Sequence, residues 1–151
     1  MTTDSGIKEK ILAKCIEIKE ESEAHTLAAM NEAQKSANEY GPARDRYDSF
    51  RNQLMRKRDM LSQQLAAVNE ELRFLRQFKF DNRYTKAESG AMVVLDSQTI
   101  FILLGIGKLV IDNKTYYVIS PVVPLATAMK DHKAGDTFTF SGKIMKILEI
   151  V

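Results

Sequence analysis

The sequence predicts an α+β chain: an N-terminal antiparallel two-helix coiled-coil hairpin, then a small antiparallel β-domain with one short helix. Three observations carry this. From Ser5 to about Phe78 the chain is dense in Glu, Lys, Gln, Ala, Leu and Arg, and its one proline, Pro42, directly follows Gly41; this is helix composition with a break in the middle. Beyond Gly90 the pattern changes to short runs rich in Val, Ile, Thr, Phe and Tyr, separated by turn dipeptides. A length of 151 residues allows one ordinary domain, or a small domain plus an extended element.

In the first helix, Ile11, Cys15 and Ile18 share a face that continues through Ser22, His25 and Ala29. In the second, the seven-residue row Tyr47, Leu54, Leu61, Val68, Leu75 is apolar throughout, while the neighbouring row reads Arg51, Arg58, Leu65, Leu72. Leu and Val therefore interlock only from about Leu61 onward, and the seam weakens towards the break. An antiparallel fold-back about Gly41-Pro42 makes residues whose numbers sum to about 85 face each other, which sets Ile11 and Ile18 against Phe74 and the turn from Leu65 to Val68. Gly41 suits the left-handed residue that closes the first helix, and Pro42 the first position of the second. Each arm, about 30 residues long, spans about 45 Å.

The hairpin is thus expected over residues 1–78 with its tip near 40–46, a junction over 79–90, and the β-domain over 91–151. The strand-like runs are AMVVL, TIFILLG, KLVID, TYYVIS, TFTF and KIMKILEIV, with turns at Asp112-Asn113, Gly135-Asp136 and Ser141-Gly142 and a short helix, PLATAMK, opening at Pro124.

Charge and cysteine usage narrow the function classes. Lys and Arg total 22 against 20 Asp and Glu, a net charge of +2 that gives no global reason to expect nucleic-acid binding. The basic residues are unevenly spread: 41–80 holds 9 basic and 5 acidic side chains, against 5 and 8 in 1–40. The single cysteine excludes an intrachain disulfide framework and a cysteine-based zinc cluster, as expected of a reducing compartment. The polar start MTTDSGIKEK is unlike a secretion signal, and the most apolar run, TIFILLGIGKLV, is about 12 residues against the roughly 20 a membrane span needs. The expectation is a cytoplasmic protein with no membrane partner.

Cys15 reads as a small hydrophobe on the helical seam, with no nucleophile, dinucleotide or phosphate-loop motif beside it. His25 reads as a helix-pairing residue and His132 as a loop residue. Arg44, Arg51 and Arg58, with Arg56 and Lys57, crowd the tip half of the second helix. Two of them occupy rows where a coiled coil prefers Leu, and contact with an RNA backbone would offset that cost. Asp45 and Asp48, three apart in the first turns of a helix, share a face. They are either dipole-favoured surface carboxylates or two oxygen ligands for a magnesium ion that other groups partly hold.

The segment VISPVVPLATAMKDHKAGDTFTF, with its strand, Ser120-Pro121, short helix and Lys133-x-Gly135-Asp136, together with the closing KILEI, resembles the C-terminal pattern of the bacterial transcript cleavage factors GreA and GreB. The tip EYGPARDRYD is similar to that family's EYGDLRENAEY: Tyr40, Gly41 and Arg44 match and Asp45 falls on the Glu, whereas Pro42 and Arg46 replace an Asp and an Asn. The resemblance implies an FKBP-like β-domain, although this chain has no Trp to floor a prolyl-isomerase pocket. It implies a protein that is not itself an enzyme, with no small-molecule substrate. Ser120 and Pro121 would dock at the rim of the RNA polymerase secondary channel, and the hairpin would reach the nascent RNA 3′ end. Asp45, with Asp48 in place of the lost acid, would contribute to Mg2+ shared with the polymerase active site and so stimulate cleavage of backtracked transcripts. Two alternatives stand beside it: a channel-occupying inhibitor without cleavage, and a coiled-coil interaction module unrelated to polymerase.

Overall fold

The computed structural model describes residues 5–42, 48–80 and 83–151. Two helices come first, α1 (Ser5–Tyr40) and α2 (Ser49–Gln77), followed by β1 (Met92–Leu95), β2 (Thr99–Ile102), β3 (Gly107–Ile111), β4 (Lys114–Ile119), α3 (Pro124–Met129), β5 (Thr137–Phe140) and β6 (Lys143–Ile150). Every strand-like run of the sequence has become a strand, and the short helix opens at Pro124 as expected. The chain divides into two compact units, one of residues 15–78 and one of residues 1–14 with 79–151. No helix among the described residues is long and apolar enough to cross a membrane.

In the helical unit α1 and α2 run antiparallel, as cross-helix pairs along their length show: Lys19 with Glu71 at 3.0 Å, Glu20 with Arg76 at 2.8 Å and Gln34 with Arg58 at 2.8 Å. Leu61, Val68, Leu72 and Leu75 are buried, as the seven-residue rows require. The register differs from the expected one by several residues. The reason lies at the start of α2: Asp48 is its N-cap and Ser49 its first residue, so Pro42 is not the first residue of that helix and the connection is longer than a fold-back at Gly41-Pro42. Facing α2, the buried positions of this part of α1 are Cys15, Ala33 and Ala37. His25, expected on the seam, is exposed, and Thr26 beside it is half-buried. Over several turns the 3.6-residue helical repeat drifts off a strict 3.5 spacing, and the apolar stripe moves with it.

The other unit is built on a six-stranded sheet in the order β3-β4-β2-β1-β6-β5. Its pairings are antiparallel except β2 with β4, which run parallel, with Ile100 opposite Tyr117. The expectation of a purely antiparallel sheet therefore gives way to a mixed one, because the β3-β4 hairpin folds back so that β4 lies against β2. Central strands β1 and β2 are buried almost throughout, which is why they read as unbroken apolar runs. Val93, Leu95, Ile100 and Ile147 pack with Met129 of α3 and Phe138 of β5. In the same unit the first turns of α1 supply Ile11, fully buried, and Lys8, only 2% exposed. The Lys8 ammonium donates to the main-chain oxygen of Val151 at 3.0 Å and lies 4.1 Å from the ring centre of Tyr84 and 4.9 Å from that of Phe80. A buried cation is tolerated there because aromatic faces and a carbonyl-type acceptor replace its water.

Candidate functional site at the hairpin tip

The two helix ends that meet at the tip are closed by named side chains. Gly41, at φ +92°, donates its N–H to the Ala37 carbonyl at 3.1 Å. That left-handed turn satisfies a terminal carbonyl of α1 at little steric cost. On the other side, Asp48 Oδ1 accepts the Arg51 N–H at 3.3 Å, the N-cap bond that satisfies one of the four orphan donors of α2. The same oxygen accepts the Tyr40 O–H at 2.9 Å, and the Tyr40 ring lies against Phe50, with centroids 5.0 Å apart. Arg51 Nε donates to the Gly41 carbonyl at 3.0 Å. The last residue of α1 and the first turn of α2 are thus tied together by polar bonds and one aromatic pair.

Against this geometry the predicted site residues fall into three groups. Arg44 and Asp45 lie outside the described residues. Asp48 is not in the helix, as the shared-face prediction required, but just before it, acting as its cap; a capping carboxylate must sit outside the first turn to reach the N–H groups that point back at it. Arg51 and Arg58 are half-buried and bonded within the hairpin, Arg51 to Gly41 and Arg58 to Gln34 Oε1 at 2.8 Å and to Asp59 at 2.9 Å. Buried Ala33 and Ala37 across the seam are small, which suits the bulk of arginine where the opposite helix would otherwise carry Leu.

Among the described residues no three His, Cys, Asp or Glu side chains converge where they could hold an ion, and the Asp48 oxygen that caps α2 already accepts two hydrogen bonds.

In the β-containing unit, Ser120 Oγ accepts the Val122 N–H at 3.3 Å, which turns the chain after β4 and presents Pro121 and Val122, the latter 82% exposed. Beside them is a cavity of about 270 Å³ whose lining includes Ala87, Ile102, Pro121, Val122 and Ala126 together with the polar Glu88, Ser89, Lys130 and Asp131. The Lys-x-Gly-Asp turn closes on its own acid: Asp136 Oδ2 accepts the Lys133 N–H at 2.8 Å and lies 3.3 Å from His132 Nδ1. The Lys133 N–H above all holds the Asp136 carboxyl below the ordinary carboxylate range; desolvation pushes it up, and His132 and the Lys133 charge pull it down further. His132 lies outside helix and strand, as expected of a loop residue. Cys15 is buried, and desolvation pushes its thiol up to about 11, with Lys19 pulling weakly the other way.

Sequence reasoning missed the Tyr40-Asp48 bond, the capping role of Asp48 and the Lys8 cage. The cap had a readable signal, an Asp directly before a helical run. The other two join residues whose proximity no local pattern encodes.

Several solved structures are similar to this chain, and three of them are of one protein. Gfh1, described as a transcription factor, is 15% identical over 89% of this chain and 92% of its own, with a TM-score of 0.38. GreA factor homolog 1 (Gfh1) of Thermus thermophilus is 16% identical over 94% and 93%, with a TM-score of 0.35, and Thermus aquaticus Gfh1 is 19% identical over 94% and 92%, with a TM-score of 0.34. No protein-family model and no curated protein matches the chain.

Proposed function

We propose that this protein binds bacterial RNA polymerase, inserts its hairpin into the secondary channel and stimulates cleavage of backtracked transcripts. The observation that carries the reading is the hairpin: two antiparallel helices, α2 alone being 29 residues and so about 43 Å long, ending in a tip closed by Gly41, Tyr40 and Asp48. Such an element reaches far from its base while staying about two helix diameters across. The resemblance of the Val118 to Phe140 segment to the cleavage factors supplies the partner. By that resemblance Ser120 and Pro121 dock at the channel rim, with the exposed Val122 and a cavity beside them. Any Mg2+ belongs to the polymerase; the contribution of this chain is a tip carboxylate, Asp45 with Asp48, added to a site held by others.

One observation favours a second reading. Asp48 holds the cap of α2, and a carboxylate committed to a helix cap is poorly placed to substitute for the acid that Pro42 replaces. On that reading the tip occupies the channel without supporting hydrolysis, and the protein acts as an inhibitor. The two separate in one experiment: transcript cleavage by purified, backtracked RNA polymerase with and without the protein, alongside retention of the protein on the polymerase. Accelerated cleavage that is lost in the Asp45→Asn, Asp48→Asn double variant supports the first reading. Retention without acceleration supports the second, and lack of retention removes both.

A further inference from the structure

We infer that Phe50 is a stacking platform for a base of single-stranded RNA. Phe50 is in the first turn of α2 and is 54% exposed, where a polar residue would cap or solvate the helix at no cost. An isolated exposed phenylalanine is unremarkable by itself; here three further features act on it. Its ring is backed by Tyr40 at 5.0 Å, and Tyr40 is held in turn by its O–H bond to Asp48, so little rotamer freedom remains to be lost when a ligand stacks on it. On the same helical face, at spacings of three and seven, are Gln53 and Lys57, both exposed. Lys57 is about 10 Å along the axis from Phe50 at 1.5 Å per residue, within reach of the phosphates of the stacked nucleotide and its neighbour.

The charge of this segment selects the occupant. From Ser49 to Met60 the helix carries Arg51, Arg56, Lys57 and Arg58 against Asp59 alone, an arrangement suited to a polyanion. Exposed aromatic faces beside basic side chains are how proteins bind single strands without reading sequence, since every base has a π-face. Arg51 and Arg58 are engaged inside the hairpin, which leaves Arg56 and Lys57 as the exposed cations of this stretch. This deepens the polymerase reading, whose RNA 3′ end is the natural single strand, but it rests on side chains that can be tested without polymerase.

The test is binding of a fluorescein-labelled ten-nucleotide oligo(U) RNA to the full chain at low salt, read by fluorescence anisotropy, for the wild type, Phe50→Leu, Phe50→Tyr and Lys57→Gln. Phe50→Leu keeps an apolar side chain against Tyr40 but removes the π-face, and should weaken binding about ten-fold, the usual consequence of losing one stacked base. Phe50→Tyr should restore it. Lys57→Gln should weaken binding and flatten its salt dependence by about one counterion. Equal affinity of wild type and Phe50→Leu, or no RNA binding by the wild type, overturns the inference. So does self-association that Phe50→Leu abolishes, since a second protein surface would then be the occupant. Retention on RNA polymerase, measured in parallel, keeps the two readings distinct: RNA binding without retention removes the polymerase reading and leaves the platform, whereas retention with Phe50-independent RNA binding does the reverse.

Discussion

The two ends of the helical unit are held together by different physics. Away from the tip, Cys15 on α1 and Leu61, Val68, Leu72 and Leu75 on α2 are buried side chains that gain stability by leaving water. Towards the tip the buried positions shrink to Ala33 and Ala37, and directional ties, which at the other end only accompany the apolar seam as Lys19–Glu71 and Glu20–Arg76, take over: Arg58 to Gln34, Arg51 to the Gly41 carbonyl, and Asp48 to both Tyr40 and the Arg51 N–H. Apolar burial is strong and tolerant of geometry, whereas hydrogen bonds near solvent contribute little net energy but fix positions. A hairpin built this way is anchored at one end and shaped at the other.

Truncation at the apolar end should have the largest effect. Leu72→Ala, at a position only 1% exposed, should destabilise by about 3 kcal/mol, seen as a lower urea midpoint. A loss under about 1 kcal/mol would mean the seam does not carry the unit.

Cys15 sharpens the same end through pH. Its folded pKa of about 11 is above the ordinary 9.0, so the unfolded chain loses the thiol proton first. The stabilisation is complete below pH 9.0 and is lost as pH rises towards 11. Urea midpoints should fall over that window in the wild type and less in Cys15→Ala, and at neutral pH the buried thiol should resist alkylation until the protein unfolds.

The tip should respond more weakly in stability and more strongly in function. Asp48→Ala removes the cap and the Tyr40 partner, at about 1 kcal/mol. Asp48→Asn, an equally good cap residue, should leave stability nearly unchanged. If Asp48→Asn also leaves transcript cleavage unchanged, the carboxylate serves the cap alone. Loss of cleavage at full stability would instead assign it a chemical role.

A loss similar in size to that of Asp48→Ala is expected at Gly41. Among the described residues a Cβ there meets nothing within 4 Å, so Gly41→Ala should cost only the left-handed backbone strain at φ +92°, about 1 kcal/mol, measurable by thermal unfolding. A much larger loss would mean that the turn itself rearranges.

Legibility followed the range of the interactions. The helix break at Gly41, the apolar rows of α2, each strand and the Pro124 start of α3 were readable because propensity, periodicity and turn chemistry act between near neighbours. The candidate site was legible only in part. Tyr40, Gly41, Asp48, Arg51 and Arg58 were singled out, but their bonding was not, and Phe50 drew no attention because an apolar residue at a helix start looks like ordinary packing.

By itself, then, the sequence determined the two helices, their antiparallel pairing, the order of the strands and the uneven charge along the chain. Only the tertiary structure decided the register of the hairpin, the parallel pairing of β2 with β4, the burial of Lys8 among aromatic rings and the bond between Tyr40 and Asp48. Each of these depends on which distant groups meet, and a polar side chain takes its role from the partner it finds in the fold rather than from its neighbours in the chain.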